Sequence, residues 1–65
     1  MIVATQFLKD LIRNQDNIEA FAGSCGLTKP TIYKIMAGDA VSNESMSALL
    51  KETGLAMEKA FEVKE

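Results

Sequence analysis

The run Gly23-Ser24-Cys25-Gly26 sets a serine and the chain's single cysteine between two glycines. Those residue types could supply a nucleophile or wrap a phosphate. A phosphate-cradling loop, however, needs a strand before it and a Lys-Ser/Thr pair after it, and the sequence offers neither. A serine or cysteine nucleophile needs a base, and there is no histidine anywhere in the chain. The same absence removes a mixed Cys/His zinc site. Cys25 therefore reads as an inert thiol of the core. Asp16 and Glu19 have the spacing of a helix cap rather than of an acid–base pair. The four methionines are spaced as core filler. No enzymatic function, cofactor or metal is expected.

Length and charge narrow the rest. Sixty-five residues make one small domain, residues 1–65, with 48% hydrophobic and 25% charged residues. Seven Lys+Arg against nine Asp+Glu give a net charge of −2, which excludes a polybasic binder working by bulk charge. The balance is uneven along the chain: residues 1–38 carry +1 and residues 39–65 carry −3. A lone cysteine fits a reducing compartment, so a cytoplasmic location is expected. No apolar run approaches the roughly 20 residues of a membrane span. Lys9 and Asp10 come too early for a signal peptide. A domain this short buries only about 60% of its unfolded surface, which favours pairing of two copies.

The elements that must position any function are helical. Phe7, Leu8, Leu11 and Ile12 form an apolar stripe on a first helix over about residues 3–13. Ile18, Phe21, Ala22 and Cys25 repeat the pattern on a second helix, capped by Asp16 or Asn17, with Asp16 to Glu19 spaced as a capping box. Thr28 caps a third helix with Pro30 in its first turn, Ile32, Ile35 and Met36 facing inward, and Gly38 as its stop. Ser42 caps a fourth, carrying Met46, Leu49, Leu50 and Thr53 and ending at Gly54. Leu55, Met57 and Phe61 mark a last short helix before a charged tail. No period-two run persists, so no strand is expected. The predicted fold class is all-α, a compact bundle of about five short helices.

The informative stretch is Ile18 to Ala37. A helix crossing close over its predecessor needs a small side chain at the crossing, and Ala22 provides it. A sharp turn into the next helix needs a residue tolerant of positive φ, and Gly26 provides that. Leu27, Ile32 and Ile35 then lock the third helix and leave its other face bare. This is the spacing of a helix-turn-helix, about residues 18–37, whose second helix (about 29–37) enters the DNA major groove.

The spacing resembles the Cro/phage-repressor (lambda-repressor-like, XRE-type) helix-turn-helix family over roughly residues 5 to 61. The likeness is carried by Phe21-Ala22, Gly26-Leu27-Thr28-Lys29, Thr31-Ile32-Tyr33-Lys34-Ile35 and Gly38. It continues through Ser42-Asn43-Glu44, Leu49-Leu50-Lys51 and Gly54 to Phe61. The resemblance implies a sequence-specific transcriptional regulator, a Cro-like repressor of phage or prophage type acting on a double-stranded DNA operator as a homodimer. Its base-reading positions fall on Lys29, Pro30, Tyr33 and Lys34, with Thr28 at the cap. Lys suits the O6 and N7 acceptors of guanine, Pro30 reads shape or a thymine methyl, and Tyr33 packs on a sugar or bonds a phosphate. Thr28 and the helix N-terminus are natural phosphate ligands. Thr31, Arg13, Asn17, Ser42 and Asn43 flank this face.

The chain departs from the family where a phosphate-binding Gln is common, which here is Ile18. It departs again after the third helix, where Asp39 and Ala40 replace basic residues. In the C-terminal segment 55–65, Met57, Phe61 and Val63 either cover the core or form a dimer seam. A second function fits the same residues: the antitoxin of a toxin–antitoxin pair, whose partner is a protein toxin and which autoregulates through the same helices.

Overall fold

Five residues stand at the starts of the helices, and three of them, Thr5, Asn17 and Ser42, cap as their residue types dictate. A computed structural model describes all 65 residues. Thr5 accepts the Leu8 amide hydrogen on its hydroxyl and starts α1, Gln6–Arg13. Asn17 accepts the Ala20 amide hydrogen at 3.0 Å and starts α2, Ile18–Cys25. Asn17 thus takes the capping place, and the Asp16–Glu19 box expected beside it does not form. Thr28 precedes α3, Lys29–Met36, with Pro30 in the first turn where its missing amide hydrogen costs nothing. Ser42 accepts the Ser45 amide hydrogen and starts α4, Asn43–Thr53, while the short α5 spans Met57–Ala60. Gly26 closes α2 at φ 74° and Gly54 closes α4 at φ 71°, a backbone state that other residues adopt only with strain.

The all-α expectation is corrected at the chain ends. β1, Ile2–Ala4, pairs antiparallel with β2, Phe61–Val63, in the register Ile2↔Val63, Val3↔Glu62, Ala4↔Phe61. The first helix accordingly begins at Gln6, not near residue 3. Each strand has three residues, too few for an alternating pattern to stand out, and the partners are nearly the whole chain apart in sequence. The result is a compact, mainly helical molecule of 31 × 21 × 21 Å with a two-stranded sheet closing its ends. No helix is long and apolar enough to cross a membrane.

Leu8, Ile12, Ile32 and Leu49 form the fully buried centre. Burial of each contributes about 1.5–3 kcal/mol relative to leaving it in water. Ala4, Phe21, Ala22, Ile35, Val41, Met46, Ala60 and Phe61 surround them. Leu11, Ile18, Cys25, Leu27, Met36, Leu50 and Leu55 pack against that cluster from the rim. Phe7 departs from the expected stripe: it is 49% exposed, with the Lys59 ammonium 5.1 Å from its ring centre. Val3 and Val41 enter the interior instead, Val3 through the strand and Val41 through an amide hydrogen donated to the Ile2 carbonyl at 2.8 Å. No buried side-chain polar atom lacks a partner.

Candidate nucleic-acid interface

α3 is held from one side only. Ile32 and Ile35 are buried and Met36 half-buried, so the opposite arc is left to water. At 3.6 residues per turn that arc runs Lys29, Tyr33, Pro30, Lys34, and all four are exposed. α3 contains no acidic residue, and the protein's single ion pair lies elsewhere, between Arg13 and Asp10 at 3.2 Å. Neither Lys29 nor Lys34 has a carboxylate within 4.0 Å, so both charges face solvent uncompensated by a neighbour. The Lys29 ammonium rests 5.8 Å from the Tyr33 ring centre, which steadies a lysine and an aromatic face side by side.

At the N-terminus of α3, Thr28 does not accept an amide hydrogen. Its hydroxyl shares a 2.9 Å hydrogen bond with that of Thr31 instead. The Lys29 and Thr31 amide hydrogens consequently have no partner within the chain. An exposed pair of hydroxyls, two open amide hydrogens and the positive end of the helix dipole converge there, the inventory that binds an anionic oxygen.

The remaining candidates are more committed. Asn17, an exposed residue, uses its amide oxygen as the cap of α2. Arg13 spends one guanidinium nitrogen on Asp10. The Ser42 hydroxyl accepts from the Ser45 amide and donates to the Ser45 hydroxyl at 3.0 Å. Asn43 stands exposed beside it at the start of α4. The structure thus brings Thr28, Lys29, Pro30, Thr31, Tyr33 and Lys34 onto one element. Arg13 and Asn17 flank the turn between α1 and α2, and Ser42 and Asn43 lie beyond the loop that follows α3.

One cation escaped the sequence reading. Lys9, on α1, is half-buried, and its ammonium stands 4.0 Å from where a β-carbon on Gly38 would be. That places a positive charge at the C-terminal end of α3, where the helix dipole is negative. Nothing in local sequence could have announced it, because the contact joins residues 29 positions apart.

Gly23-Ser24-Cys25-Gly26 occupies the last turn and cap of α2. A phosphate there would meet carbonyls and the negative end of the helix dipole, which opposes anion binding. The run lines a groove of about 600 Å³ whose opposite wall is Ser47, Ala48, Lys51 and Glu52 of α4. Burial, and secondarily the Glu52 carboxylate, push the Cys25 thiol above its ordinary pKa, the reverse of what a nucleophile needs. No cluster of three candidate metal ligands exists. Met57 is 48% exposed, Val63 69% exposed, and Phe61 is 5% exposed within the chain's own core. No family model, curated protein or solved structure matches the chain.

Proposed function

We propose that the protein is a sequence-specific double-stranded DNA-binding regulator of the Cro/phage-repressor type, with α2 and α3 as its helix-turn-helix. The observation that carries this reading is the outer arc of α3. It is acid-free, bears two lysines without carboxylate partners, and begins at open amide hydrogens and hydroxyls. Lys34 and Lys29 would address base-edge acceptors or phosphates, Tyr33 the sugar–phosphate wall, and Thr28 with the first-turn amides a phosphate. Ala22 is 1% exposed within the core cluster, and a small buried residue there suits the close helix crossing that such a motif requires.

The molecule's longest dimension, 31 Å, is less than the roughly 34 Å of one DNA turn, so one copy addresses one half-site. A pair of copies would read two. With a net charge of −2, affinity rests on few cations rather than on a charged surface. Regulation follows from occupying promoter DNA. The test is fluorescence anisotropy on the duplex immediately upstream of the protein's own gene, against a scrambled duplex, at two salt concentrations. Preference for the native sequence that weakens with salt is expected. Equal, weak binding to both duplexes, together with no enrichment in selection from a genomic pool, overturns the reading.

A further inference from the structure

The two lysines of the α3 arc are not equivalent. Lys29 is the first residue of the helix, where the dipole is already positive and a further cation is unfavourable. Its charge is no help to the helix, and no carboxylate compensates it. What it has is a ring. An aromatic side chain on a helix leans toward the N-terminus, onto the residue four positions before it. Tyr33 accordingly reaches back to Lys29, whose ammonium stands 5.8 Å from the ring centre, within cation–π range. Lys34, the next residue along, has neither a carboxylate nor a ring beside it.

A lysine in water samples many rotamers, and fixing one of them on binding costs entropy. A cation drawn onto a ring has given up part of that freedom before any ligand arrives. It is then a directed donor rather than a diffuse charge. In the major groove, the acceptors that suit a directed lysine are O6 and N7 of guanine. We propose that Tyr33 is a positioning residue whose ring holds the Lys29 ammonium for a guanine edge, so that this pair sets base preference. The inference rests on reading α3 as the DNA-facing helix. It gives Tyr33 a part played through Lys29, not through its own hydroxyl. It also separates the two lysines, because only Lys29 is held in place before DNA is met.

The first arm of the test needs no DNA. In proton NMR, the Tyr33 ring current is expected to move the Lys29 methylene next to the ammonium upfield of its Lys34 counterpart. Tyr33→Leu abolishes that difference, with helix content by circular dichroism unchanged because position 33 is exposed. The second arm is anisotropy on the duplex upstream of the protein's own gene. Tyr33→Phe keeps the ring and binds as the unaltered protein does. Tyr33→Leu weakens binding about two- to fivefold at an unchanged salt slope, because no charge is lost. In a Lys29→Ala background the same change has no further effect. Replacing guanines one at a time by 7-deazaguanine removes the N7 acceptor. At one position this weakens binding of the unaltered protein and leaves that of Lys29→Ala unchanged. Coincident Lys29 and Lys34 methylene signals, equal losses from Tyr33→Phe and Tyr33→Leu, additive losses in the double variant, or no guanine whose N7 matters to Lys29 overturns the proposal. A protein with no preference for its own duplex overturns the DNA reading and the proposal with it. A preference that survives Tyr33→Leu in full overturns the positioning role alone.

Discussion

α3 and the terminal sheet are both surface elements tied to the same core, but they use their residues in opposite ways. The sheet is secured by groups that reach inward or toward each other. Ala4, Ala60 and Phe61 are buried, the Thr5 hydroxyl donates to the Lys59 carbonyl at 2.6 Å, and the Thr5 amide donates to the Ala60 carbonyl at 2.9 Å. α3 is secured by two isoleucines and leaves its hydroxyls, its first amides and its lysines without partners in the rest of the chain. A region whose polar groups are satisfied internally contributes to stability. One whose polar groups are left open, on a rigid support, is available for binding.

The largest effect that would break this contrast is on the sheet side. Phe61→Ala empties a buried aromatic site and is expected to lower unfolding free energy by about 3–5 kcal/mol, measured by urea denaturation. A loss under 1 kcal/mol would mean that the clasp is not part of the core. On the α3 side, Lys34→Ala should leave the denaturation midpoint unchanged and weaken the proposed DNA binding by about 1–3 kcal/mol, read by anisotropy. Unchanged affinity would remove Lys34 from the interface. Between the two regions, Gly26→Ala places a β-carbon on a residue at φ 74° with open space around it. The cost is backbone strain alone, about 1–2 kcal/mol of stability by thermal melting. A neutral result would show that the turn relaxes freely.

The smallest effect concerns Cys25. Its pKa is raised in the folded state, so the stabilisation this brings is complete below the ordinary thiol range and is lost as pH climbs through the raised value. Alkylation of the native protein by iodoacetamide at mildly alkaline pH should be slower than that of the urea-unfolded chain. Faster native alkylation would mark an activated thiol and reopen the groove as a reactive site.

The helices were legible because their signals are local. Ser42 and Gly54 bracket α4, Thr28 and Pro30 open α3, and Leu8, Ile12, Ile32, Ile35 and Leu49 recur at helical spacing. Ile2-Val3 and Phe61-Glu62-Val63 become strands only because each has the other as a partner, which no local window contains. Phe7 lies outside the buried stripe for a related reason. Helical spacing defines a stripe wide enough to include it, but only the packed neighbours decide where the stripe meets water. On α3 the residues of the outer arc follow from the burial of Ile32 and Ile35. The released Thr28 cap and the position of Lys9 depend on geometry between residues and could not be read in advance.

The pairing of β1 with β2 also imposes an order of events in time. Every helix closes contacts three or four residues apart, on a microsecond scale. The sheet must close a loop of nearly the entire chain, whose entropic cost is repaid only after the helices have shortened the path between its ends. β1 and β2 therefore join last on refolding and part first on unfolding. Phe61→Ala should accordingly accelerate unfolding in stopped-flow measurements while leaving the refolding rate almost unchanged, and a slowed refolding limb would place the sheet in the nucleus.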